Sequence, residues 1–327
     1  MSFTKYPNGV FAPNLSMGLT AFADKNVWYV DGDNGNDNNI GDTPTQARAT
    51  IQSAVTSAAA DGGVVFVKAR DMGATATDPV SYAETIIIPA GSSRMAIIGV
   101  SGNQTQGGLP QIKKGSGSTA LLTVRAPGCL IANLGFNGAS STGGGILLDS
   151  DGGTTKDAFG TTIMNNHFKN CVGSTATSSA TGGAIQWSAT GGSWQVRIEN
   201  NVFYKNVGGV VLLGTTGSVP QDVIIKGNYF MGTAATVDSY LYLAGGSGMS
   251  SVAVTDNVFA SVLPALGSGA VVRYADLTGC TGIFANNYFA GVYTTTGFGA
   301  AKAAAKIPTT VGLPHNYTDS GLIVREA

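Results

Sequence analysis

Residues 198–203 read IENNVF, and the same pattern returns as IMNNHF at 163–168, IKGNYF at 225–230, VTDNVF at 254–259 and FANNYF at 284–289. Each copy places Asn three residues after an apolar position and Phe two after the Asn. A fainter copy, IANLGF at 131–136, keeps Phe136 but has Leu134 where the Asn belongs. Successive phenylalanines, at 136, 168, 203, 230, 259 and 289, fall 27 to 35 residues apart. A drifting period of that size suits stacked coils joined by loops of variable length.

Between these copies lie the runs GGILLD (144–149), GAIQW (183–187), GVVLL (209–213), YLYLA (240–244) and AVVRY (270–274). Short, partly alternating and bounded by Gly or Ser, they read as strands. With several strands per coil and every coil running the same way, equivalent strands stack into parallel sheets about 4.8 Å apart. The expected fold is all-β: a single-stranded, right-handed parallel β-helix. In it Phe168, Phe203, Phe230, Phe259 and Phe289 form an internal column. Asn166, Asn201, Asn228, Asn257 and Asn287 sit at a bend, where Asn tolerates left-handed backbone and stacked amides bond from coil to coil.

Composition narrows the partners. Charged residues are only 11% of 327 positions and the net charge is -1, so no broad field attracts nucleic acid or an anionic membrane. No apolar run is long enough to span a bilayer, and no secretory leader pattern is visible. Cys129, Cys171 and Cys280 are an odd set without metal spacing, which predicts buried, reduced thiols.

The stretch VDGDNGNDNNIGD (30–42) precedes TPTQARATIQSAVTSAAADGG. Thr43 as cap, Pro44 in the first turn and Ala47, Ile51, Ala54, Val55 and Ala58 on one face predict a helix over about 44–60, stopped by Gly62 and Gly63. Such a helix covers the open end of the first coil. Asp31, Asp33 and Asp37 alternate like calcium ligands, but position 42 holds Asp where a hand-type loop needs a bidentate Glu. An Asx-rich bend is the preferred reading and no cofactor is expected; calcium on Asp31, Asp33 and Asp37 is the alternative.

With these parts in place, VWYVDGDNGNDNNIGDTPTQARATIQSAV followed by IENNVF-type rungs resembles right-handed parallel β-helix proteins of the pectate-lyase-like superfamily, over residues 27–293. That resemblance implies the fold rather than an activity, because lyases, hydrolases, epimerases, phage tailspikes and inert structural parts share it. A lyase calls for a carboxylate stack on one strand face, yet the aligned outward row reads Leu147, Gln186, Leu212, Tyr242 and Arg273. A glycosidase needs two close carboxylates, for which Asp149, Asp151 and Asp157 in one loop are the candidates. Tyr240, Tyr242 and Arg273 are candidates for stacking on a glycan, while Trp187 and Tyr274 fall inside.

Residues 1–26 form an extended arm with apolar anchors Phe3, Tyr6, Phe11, Leu15 and Phe22, suited to docking on a neighbouring subunit or along the chain's own solenoid. Residues 294–327 form a tail that breaks the rung rhythm and is suited to closing the last coil or contacting a partner. A β-helix of low charge with anchoring arms resembles structural proteins of tailed bacteriophages, and YPNGVFAPNL resembles the starts of some head-associated ones. The expectation is therefore a non-enzymatic virion protein assembled in the host cytoplasm. A head decoration or cement subunit comes first, held by its arms to other virion proteins and homo-oligomeric, with a trimer the common arrangement. A glycan-binding tailspike or fibre, or a polysaccharide depolymerase, is the alternative.

Overall fold

The computed structural model describes residues 26–323, apart from 61, 73–78, 101–107, 114–116, 118, 139–143, 151–157, 172–182, 188–193, 207–209, 212–219, 233–238, 244–248, 262–272, 292–304 and 319–320. The strands form three sheets of ten, nine and eight. From residue 96 onward the chain visits them in a fixed cycle: a strand in the first, one in the second, one in the third, then back to the first. Neighbours within each sheet are parallel, as for Ile163, Ile198 and Ile225 in the first sheet and Phe168, Phe203 and Phe230 in the second. The exception is the last strand, Gly321–Ile323, which runs antiparallel to Asn316–Thr318. The described chain is thus all-β with one α-helix and stacked parallel sheets, an arrangement consistent with a parallel β-helix.

One apolar core runs between the sheets from Val30 to Val311. Phe136, Phe168, Phe203, Phe230, Phe259 and Phe289 stack in register along it, with ring centroids 4.7 to 5.1 Å apart and planes within 13° of one another. Asn166, Asn201, Asn228, Asn257 and Asn287 are buried in a continuous ladder. From Asn201 onward the amide oxygen of each accepts from both the backbone N–H and the side-chain NH2 of the Asn one coil earlier, and its own NH2 also reaches back to a main-chain carbonyl. At the first rung only the backbone N–H of Leu134 is present to donate, to the Asn166 oxygen.

Two details differ from expectation. The left-handed residue is the one before the ladder position in all six copies of the motif: Asn133, Asn165, Asn200, Gly227, Asp256 and Asn286 have φ between 55° and 66°. The ladder Asn itself turns inward, and its neighbour makes the bend. The motif signals this by placing only Asn, Asp or Gly there, the residues that adopt that backbone most readily. The stack also continues past residue 293. Strands at Ala305–Lys306, Val311–Gly312 and Asn316–Thr318 join the third, first and second sheets. Asn316 extends the ladder, accepting from the Asn287 N–H and donating to the Phe284 carbonyl.

The helix is shorter than expected. Pro44–Gln46 form a separate 3-10 turn, and helix α1 runs Ile51–Ala58 with Thr50 as its cap, accepting from the Ser53 N–H. The reason lies in residues 47–48, which are tied to the preceding strand and bend: the Arg48 N–H donates to the Tyr29 carbonyl, and the Ala47 and Arg48 carbonyls accept from Asn36 and Asp31. That segment is held extended, so the helix starts only after it. Ile51, Ala54, Val55 and Ala58 are fully buried as expected. Gly62, at φ 60°, then carries its N–H back to the Ala58 carbonyl, a left-handed stop that side chains with a Cβ resist. Among the described residues no helix is long and apolar enough to cross a membrane.

Candidate functional site

The 30–42 bend is a braced corner. Asp31 accepts from the N–H groups of Asp33 and Asn34 and from the Asn34 side chain, and pairs with Lys68 at 2.8 Å. Asp33 pairs with Arg70 at 2.9 Å and accepts from the Asp71 N–H. Asp37 turns the other way, accepting from the N–H groups of Ala49 and Thr50 and from the Thr50 hydroxyl. Burial works against the Asp31 charge, but Lys68 and the surrounding N–H donors outweigh it and hold the carboxyl below its ordinary range. The same balance, with the Asp71 N–H and Arg70 as donors, lowers Asp33. The three carboxylates therefore bond to separate partners. Among the described residues no three His, Cys, Asp or Glu side chains gather as a metal-binding group.

Behind the bend, Tyr82 is buried, its hydroxyl donating to the Lys68 carbonyl and accepting from the Gly32 N–H. Glu84 accepts from the first two N–H groups of α1, Ile51 and Gln52. That contact uses the positive end of the helix, although burial pushes the Glu84 carboxyl up. Cys129, Cys171 and Cys280 are buried free thiols. Burial raises the first two to about 12, far from a reactive thiolate.

Of the carboxylates in the 149–157 loop, Asp149 pairs with Arg125 at 3.0 Å. Asp151 and Asp157 lie outside the described residues. On the third sheet Leu147, Gln186, Val211, Tyr242 and Asp276 are register partners on consecutive coils. Val211 stands where Leu212 was expected, and Arg273 is opposite Ser239, three residues back from Tyr242. In this register Ala275 lies opposite Leu241, both fully enclosed. Trp187 is buried as expected. Tyr240 is a correction. It is buried, tilted against Phe230, with its hydroxyl donating to the Ala260 carbonyl, and is not a surface group.

The exposed aromatic row lies on the second sheet instead. Tyr229, Val258, Tyr288 and Tyr317 are register partners on consecutive coils, and the three tyrosines are 39 to 45% exposed. In the sequence each occupies the position between the ladder Asn and the following inward residue, which alternation turns outward. At the other end of the same row Gln111 and His167 are buried. No family model matches the chain, and no curated protein matches its sequence.

Proposed function

We propose that the chain is a non-enzymatic structural protein of a tailed-bacteriophage virion, a head decoration or cement subunit attached through its terminal arms. Its coils form one right-handed parallel β-helix. The observation that carries this reading is the use made of the repeated residues: the amide ladder and the phenyl column tie each coil to the next, which suits a load-transmitting rod better than a catalytic surface. The bend carboxylates support it, since each is committed to a structural bond. No cofactor enters the reading. Its partners are other virion proteins and further copies of itself. Purified particles are expected to contain the chain in many copies, and particles made with residues 1–26 deleted should lack it. Full retention of the shortened chain would rule out the arm as anchor.

The tyrosine row favours one second reading, a tail component that binds a surface glycan without cleaving it. Rings with one exposed face and a hydroxyl tip stack on sugars and still bond to water. On a glycan array, Tyr288→Ala or Tyr317→Ala should weaken binding about tenfold each, while Tyr242→Ala should not. An array without hits removes this reading.

A further inference from the structure

The outer face of the first sheet changes character along the stack. Toward the far end of this sheet an outward apolar side chain meets solvent, Ile283 at 39%. On the strands Val64–Lys68, Ala96–Val100 and Leu130–Ala132 the outward positions are apolar and hidden, with Phe66 at 6%, Ile98 at 2% and Ala96 at 0%. The described apolar residues packed against them, Val27, Tyr29 and Met164, belong to the same face. Two coils further on, Arg197 and Glu199 occupy these positions. Beside the patch a cavity of about 270 Å³ opens between Tyr29, Phe66, Val100, Pro44 and Ala47, with Lys68 at its edge. An apolar cavity of about 150 Å³ already accepts a benzene ring.

Apolar side chains so fully hidden on the outer face of a sheet lie under a cover, since a face of this kind left open would be a sticky patch. The stretches that follow the second and third strands of this sheet, GATATD at 73–78 and SGNQTQG at 101–107, carry no large apolar side chain. Residues 1–25 carry Phe3, Tyr6, Phe11, Leu15 and Phe22 and join the sheet at Val27, itself part of the patch. At about 3.3 Å per residue such a segment spans roughly 80 Å, against about 15 Å for four strands side by side.

We propose that this patch is the seat of the chain's own N-terminal arm, and that the cavity beside Tyr29 and Phe66 receives one of its aromatic rings. Attachment to a neighbour then takes place through an arm-covered face rather than a free tail. The inference is independent of where the protein resides, because it concerns the isolated chain. It is tested on the full-length protein by photochemical carbene labelling, comparing wild type with a variant carrying Phe3→Ser, Tyr6→Ser, Phe11→Ser and Phe22→Ser. Labelling of 64–68 and 96–100 should rise severalfold in the variant while that of 288–291 stays constant. Unchanged labelling overturns the proposal. So does a rise accompanied by Lys5–Lys68 cross-links found only between chains in an isotopically mixed sample, since the occupant is then a second copy.

Discussion

Phe230→Ala is expected to lower stability by about 3–5 kcal/mol, read from the denaturant midpoint of the full chain. Phe230 is fully buried between Phe203 at 4.7 Å and Phe259 at 4.9 Å, with Tyr240 tilted against it at 6.3 Å. Removing the ring deletes two offset stacks, each about 0.5–1.5 kcal/mol beyond area burial. It also leaves a hole that the strands cannot close, because Phe203 and Phe259 are pinned by their own backbone ladders. Phe230→Leu fills most of that volume and should cost clearly less. In a stack of coils each rung is supported only by its neighbours, so Phe203→Ala combined with Phe230→Ala should depart from additivity, whereas Phe136→Ala with Phe289→Ala should add. A loss below about 1 kcal/mol for Phe230→Ala would mean that the column packs loosely.

The column and the ladder could be seen in the sequence because the same side chain does the same job on every coil, so six phenylalanines and five asparagines announce themselves by repetition. Asn316 escaped because Thr318 replaces the phenylalanine. The signal that remained was Leu313, three residues before it, and a 29-residue interval from Asn287. The helix start was misplaced because Thr43 and Pro44 satisfy a local capping rule that the long-range bond from Arg48 to Tyr29 overrides. Surface rows were hardest. Which residue faces outward on the third sheet depends on what is buried opposite Leu241, and loop lengths between coils vary, so Arg273 slid three positions from Tyr242. The tyrosine row was readable in principle, since Tyr229 and Tyr288 occupy one motif position.

Asn228→Leu probes the other half of the scaffold, and nature supplies its comparison in Leu134, which occupies the same position on the first rung. Leu134 is harmless there because no earlier ladder amide donates to it. At the centre of the ladder the amide oxygen of Asn228 receives the backbone N–H and side-chain NH2 of Asn201, and its own NH2 donates to the Ile198 carbonyl at 2.8 Å and to the Asn257 oxygen at 3.0 Å. Leucine strands the two donors and the Ile198 carbonyl in a dry interior. At about 1–3 kcal/mol for each of the three orphaned groups, the expected loss is roughly 3–9 kcal/mol. Asn228→Asp separates hydrogen bonding from shape. The carboxylate still accepts from Asn201, but it now faces two oxygens without a proton to offer, so its folded-state pKa must rise above the ordinary value of about 3.9. A group raised in the folded state gives its full support below its unfolded pKa and loses it as pH climbs through the folded one. The Asp variant should therefore be close to wild type near pH 4 and much weaker at pH 7, while the deficit of the Leu variant stays flat across the same range. Identical profiles for the two would show that the amides fill space at the corner without holding the coils together.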